Sequence, residues 1–187
     1  MKKIICALAL TLSPVAVFAA GPATINLFAG NSQPVSASFT ENDNGKTSTG
    51  VLVLGKNGQA RWERKTPYEE IVVSNGKTAW QIDYGLKQAV RLPATTAQEL
   101  SLVLNGQGQK SRLYQVKQEK DSLVLTPRQN QNADVPAMRI ALDSKGYPTQ
   151  IAFLGTKKHT ISFTGWSRAP KTQFEYIPEK GMDVLGQ

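Results

Sequence analysis

Ile71-Val72-Val73-Ser74-Asn75-Gly76-Lys77-Thr78-Ala79-Trp80-Gln81-Ile82 decides the fold. Two runs rich in β-branched and aromatic residues flank an Asn-Gly pair. Asn-Gly between such runs is the strongest short signal for a two-residue hairpin, because both turn residues must take positive φ. Counting outward pairs Ile71 with Trp80 and Val73 with Thr78, so Ile71, Val73, Trp80 and Ile82 share one side of a sheet.

The period of two continues in both directions. Upstream, Val51-Leu52-Val53-Leu54 is apolar on both faces and Ala60-Arg61-Trp62-Glu63 alternates. Downstream come Gln88 to Leu92, Ser111 to Gln118, Ser122 to Thr126, Met138 to Leu142, Gln150 to Leu154, His159 to Thr164 and Phe174 to Tyr176. One parity is the more apolar in each: Leu123/Leu125, Met138/Ile140/Leu142, Ile151/Phe153, Ile161/Phe163. About ten strands in meander order, joined by short turns such as Asp143-Ser144-Lys145-Gly146, describe an antiparallel sheet with one face inside.

A single segment reads as a good helix. Thr95-Thr96-Ala97-Gln98-Glu99 offers an N-cap and a first turn, Leu100, Leu102, Val103 and Leu104 follow, and Asn105-Gly106 is a stop. Ahead of the strands, Ile25, Leu27 and Phe28 suggest one further helical turn. So little helix cannot cover so long an apolar face. The sheet therefore closes into a barrel, or curls into an open one with the helix across its mouth, and either leaves room for a ligand. A well-packed sandwich without a cavity remains the alternative on pattern alone.

The start of the chain reads as an export signal. Lys2 and Lys3 precede the apolar run Ile4 to Leu12, and Val17 and Ala19 supply the small residues of a cleavage site after Ala19. The run is too short for a membrane span, which needs ~20 residues. The sole cysteine, Cys6, leaves with the signal, so no lipid-accepting thiol and no disulfide framework remain. Residues 20–187 form one expected domain, exported to the periplasm. The formal charge of +8 is scattered singly along the chain, without a basic run or interleaved aromatics, which argues against nucleic acid. Such a surface suits anionic headgroups, an acidic patch on a partner, or solubility alone.

Nothing assembles into a catalytic centre. His159, the only histidine, reads as a surface residue at a strand edge. With one histidine, a zinc site would need a carboxylate cluster that does not occur. Ser162 lacks a G-x-S-x-G elbow, Glu69 and Glu70 point to opposite faces, and Gly106-Gln107-Gly108 lacks the rest of a phosphate loop. No enzyme activity, cofactor or metal is expected.

Several stretches carry a family resemblance. They are Ala37-Ser38-Phe39-Thr40, Arg61-Trp62-Glu63 with Thr66-Pro67-Tyr68-Glu69-Glu70, the Ile71 to Trp80 block with Gln88 downstream, and the tail Phe174-Glu175-Tyr176-Ile177-Pro178-Glu179-Lys180-Gly181-Met182-Asp183-Val184-Leu185. In this order and spacing, from about Val35 to Leu185, they resemble the periplasmic outer-membrane lipoprotein carrier family, LolA. The resemblance implies an incomplete antiparallel barrel with a few short helices as a lid over an apolar cavity. It implies a monomer that takes acylated lipoproteins from an inner-membrane ABC transporter (LolCDE) and passes them to an outer-membrane receptor (LolB). Cavity walls are then expected from Leu52, Leu54, Trp62, Ile71, Val73, Trp80 and Ile82, together with Met138, Ile140, Phe153 and Phe163. Leu100, Val103 and Leu104 would face inward from the lid helix. Lys56 stands where the family's lid-locking arginine is expected, and Ala60 where a phenylalanine is expected. A LolA-like paralogue for another amphiphile, such as a glycolipid or pigment lipid, and a lipoprotein-sensing regulatory module are the other readings.

Overall fold

The computed structural model describes residues 33–92, 96–128, 135–155, 158–170 and 174–186. The expected signal, its cleavage point after Ala19 and the turn at Ile25 to Phe28 lie outside them. The order in which the strands are laid down places everything else. β1 (Val35–Asp43) starts in the middle of the sheet, and β2 (Lys46–Leu54), β3 (Gln59–Thr66), β4 (Glu70–Asn75), β5 (Ala79–Asp83) and β6 (Gln88–Leu92) step outward to one side. Helix α1 (Thr96–Leu104) and a short 3₁₀ turn (Gly108–Lys110) then carry the chain to the opposite edge. From there β7 (Tyr114–Glu119), β8 (Ser122–Pro127), β9 (Ala137–Leu142), β10 (Pro148–Leu154) and β11 (His159–Arg168) return until β11 lies beside β1. β12 (Asp183–Leu185) finally adds itself outside β6, parallel to it. The result is one open sheet of twelve strands, antiparallel apart from β12. Because α1 connects β6 to β7, the topology places it between the two sides of the curl.

The central hairpin differs from its sequence expectation. Ile71 pairs with Ile82, Val73 with Trp80 and Ser74 with Ala79, so residues 75–78 form a four-residue loop. The Asn75 side-chain oxygen accepts the backbone N–H groups of Lys77 and Thr78 at 2.9 Å each, and of this pair Gly76 alone takes positive φ. An Asx turn has displaced the two-residue hairpin. The two-residue form occurs instead at Asn44-Gly45, where both residues have positive φ and Asp43 pairs with Lys46.

Two further expectations need correction. β1 was not separately expected as a strand, although it is the central one. Phe174 to Tyr176 is not a strand. It belongs to a tail that crosses the outer face, where Phe174 and Ala169 pack with Val53, and Tyr176 meets Trp80 edge to face at 5.9 Å.

Candidate functional site

Strand register sorts the side chains onto two faces. Across the inner face, one row holds Val35, Leu54, Ala60, Ser74 and Ala79, and the next holds Ala37, Leu52, Trp62, Val72 and Gln81. Phe39 lies opposite Phe163 on one side and Gly50 on the other. The same face continues through Ile161, Ile151, Ile140 and Leu123, and through Phe153, Met138 and Leu125. Most of these are buried in one cluster, to which α1 adds Leu100, Val103 and Leu104.

The predicted wall residues therefore divide. Leu52, Leu54, Trp62, Met138, Ile140, Phe153 and Phe163 share the inner face with the predicted lid residues. Ile71, Val73, Trp80 and Ile82 do not. Val73 lies opposite Arg61 and Ile71 opposite Glu63, and those residues alternate with inward-facing Trp62. They occupy the outer face, where Tyr176 of the C-terminal tail meets Trp80, and Val73 and Ile82 are only 1% exposed. This burial on both faces hides the distinction from sequence.

Polar groups anchor α1 at both ends of its path. Asn105 donates from its amide to the Gly55 carbonyl at 2.6 Å, and Ser101 donates to the Gln59 carbonyl at 3.1 Å. The buried Glu99 carboxylate accepts from the Ser111 hydroxyl and from the backbone N–H of Arg112 at 2.8 Å. A Schellman pair ends the helix, with Gly106 N–H on the Val103 carbonyl and Gln107 N–H on that of Leu102. Lys56 is exposed on the same β2–β3 turn, and no side-chain hydrogen bond or ion pair ties it to a described residue. The contacts that hold α1 to this turn come instead from Asn105 and Ser101. Ala60 is buried beneath the helix layer.

At the other end of β1 to β5 the inner face turns polar, while on β8 to β10 it stays apolar through Leu125, Met138 and Phe153. Arg64 reaches Glu70 at 2.6 Å, Glu41 at 2.8 Å and the Ser48 hydroxyl at 3.3 Å. His159 Nε2 lies 2.9 Å from Glu41, its ring stacked on Phe153 at 4.1 Å, and Gln81 donates to Glu70 at 3.1 Å. This belt runs side by side over β11, β1, β2, β3, β4 and β5. No sequence motif announces this belt, and His159, expected at a strand edge on the surface, sits half-buried within it. The available signal was an interruption of the apolar parity on neighbouring strands, at Glu41, Ser48 and Arg64. Just above it Phe39, Trp62, Phe163 and Trp166 form an aromatic layer with successive centroids 4.9, 6.2 and 5.5 Å apart.

Burial is the largest influence on the Glu41 carboxyl and by itself raises its pKa. Hydrogen bonds from Arg64, His159 and Ser48 and the Arg64 charge outweigh it and hold the group below its ordinary 4.5. A depressed folded pKa contributes stability in full above the unfolded value, and that contribution is lost as pH falls through the lower folded one. Melting temperature followed from about pH 7 to about pH 3 should therefore fall less steeply on the acid side in Glu41→Gln than in the parent. Equal slopes would remove the belt from the acid response.

The model of the outer membrane lipoprotein carrier protein LolA matches residues 31–175. An outer-membrane lipoprotein carrier protein of Xanthomonas oryzae pv. oryzae is 29% identical over 96% of this chain and 94% of its own. One of Xanthomonas axonopodis pv. citri is 31% identical over 75% of this chain and 73% of its own. The crystal structure of an uncharacterised conserved protein of Thermus thermophilus matches in fold, with a TM-score of 0.53 at 17% identity over 82% of this chain and 90% of that one. A family match over most of the chain, coinciding with an open sheet bridged by a docked helix, places this protein in the LolA family of outer-membrane lipoprotein carrier proteins.

Proposed function

We propose that the chain is a periplasmic carrier, holding the acyl chains of lipoproteins between α1 and the inner face of the sheet and ferrying them from the inner to the outer membrane. One observation carries this reading: the helix that bridges the open sheet presents Leu100, Val103 and Leu104 to an apolar inner face and is fixed there by a handful of hydrogen bonds. Such a helix can be displaced as a unit. The leader ending at Ala19 supports export, with residues 20–187 as the working domain. No helix among the described residues is long and apolar enough to cross a membrane. By family resemblance, an ABC transporter of the LolCDE type loads the carrier and a receptor of the LolB type unloads it. The work is transport, with no catalytic residue assigned.

The deciding experiment adds the purified mature chain to inner-membrane vesicles of its host that contain a newly made triacylated lipoprotein and ATP. A soluble complex of the two is the expected product, and failure to release any lipoprotein would sink the assignment. The changed lid region, with Lys56 off the helix and Ala60 small, favours one competitor, a carrier of a different amphiphile. Native mass spectrometry of the protein taken from its host would then find a bound non-protein mass.

A further inference from the structure

We propose that the belt of Glu41, Ser48, Arg64, Glu70 and His159 is the floor of the acyl-chain site and sets the length of chain the protein accepts. The inference rests on the carrier reading above and specifies that same site. Along β2 the inner face passes from Leu54 and Leu52 through Gly50, covered by the Phe39 ring, to Ser48 in the belt. No apolar track continues past this point on β1, β2 or β3, since Glu41, Ser48 and Arg64 stand side by side there. Their charged atoms are already engaged with one another. A methylene group pressed against them would strip their remaining solvation without offering a hydrogen bond, which is strongly unfavourable.

A pocket of about 340 Å³ opens on the far side of the belt, lined by the charged Glu41, Asp43, Lys46 and Arg64 together with Pro67 and Tyr68. Solvent can therefore reach the belt from below, keeping its charges cheap to maintain, while hydrocarbon lying along β1 to β3 is stopped from above. The geometry gives the length. Leu54 to Ser48 is six residue steps, about 20 Å at ~3.3 Å per step. A stretched chain of ~1.5 Å bonds at angles near 111° advances about 1.25 Å per carbon, so about sixteen carbons reach the belt.

The test is a titration of the mature protein with lysophosphatidylcholines of graded acyl length, from about eight to about twenty-two carbons, below their micelle concentrations. Affinity should rise about fourfold per added methylene and level off near sixteen carbons. A rise continuing unbroken through twenty-two carbons would overturn the floor while leaving a carrier. No binding at any length would remove the carrier reading, and the floor with it. A triple variant, Glu41→Leu with Arg64→Met and Glu70→Leu, replaces the ion network by apolar groups of similar size, an exchange that is often neutral for stability. It should shift the plateau by several carbons toward longer chains. An unchanged plateau in the folded variant would also overturn the proposal, and if the variant does not fold, the parent series alone decides.

Discussion

Alanine at position 50 should lower the melting temperature on the order of 10 °C, corresponding to about 3 kcal/mol for a domain of this size. A Cβ built on Gly50 falls 1.9 Å from the Glu63 carbonyl oxygen and 2.7 Å from two atoms of the Phe39 ring. The first neighbour is backbone and cannot rotate away. Its position follows from the register shift between β2 and β3, where Thr49 pairs with Thr66 but Gly50 pairs with Arg64. The second neighbour belongs to the aromatic layer. Making room would push Phe39, which is 2% exposed, off Trp62 and toward the belt. Thermal unfolding of Gly50→Ala measures the combined cost. A melting temperature within about 2 °C of the parent would show that strand and ring can separate at this point without loss, and that the inner face does not depend on their close approach.

Much of the sheet was legible because its strands carry their own periodicity, and Leu123/Leu125, Met138/Ile140 and Ile161/Phe163 all point inward as their parity requires. The misreadings have local physical causes. β1 alternates Val35, Ala37 and Phe39 with Ser36, Ser38 and Thr40, an amphipathic pattern weak in large side chains, and one of the two strands that bury it, β11, lies far away in sequence. β12 is three residues held by a parallel partner nearly a hundred positions away, and no local pattern can specify such a pairing. The hairpin failed on turn chemistry. Asn75 caps its own loop, which shifts each cross-strand partner by two while leaving the faces of β4 and β5 unchanged.

The division of the candidate site had a different origin. Trp62 and Val73 are both apolar strand residues, and parity within a strand says only that they belong to one face or the other. Which face is inner depends on the tail from Ala169 onward, which covers Val53 and Trp80 from outside. The lid contacts were similarly non-local. Leu100, Val103 and Leu104 announced an apolar helix stripe, but the anchors that place it are Asn105 on Gly55 and Ser101 on Gln59, fifty and forty-two residues apart in sequence.

Leu104→Asp should free α1 from the sheet while leaving the strands in place, and binding of an apolar fluorescent probe should rise by about tenfold or more. Leu104 is fully buried against the inner face. A carboxylate in that buried apolar cluster would cost several kcal/mol, which undocking relieves. The nine-residue helix is too short to persist alone, so its residues should become protease-sensitive. Loss of strand signal together with the helix would instead make α1 part of the core and remove its role as a lid. In the proposed carrier, the same docking would set the direction of transport. Leu100, Val103 and Leu104 contribute about 1.5–3 kcal/mol each, and the Asn105, Ser101 and Glu99 hydrogen bonds about 1 kcal/mol each, roughly 10 kcal/mol in all. A sixteen-carbon chain leaving water gains about 13 kcal/mol, enough to displace the helix. A chain leaving a bilayer gains almost nothing, because it was already in hydrocarbon, so loading is uphill by the cost of opening and needs an outside energy source. Unloading into an apolar acceptor runs downhill as the helix redocks. Leu104→Asp removes that return force, so transfer of bound lysophosphatidylcholine to acceptor vesicles should slow by at least about tenfold; transfer at the parent rate would show that helix closure does not drive release.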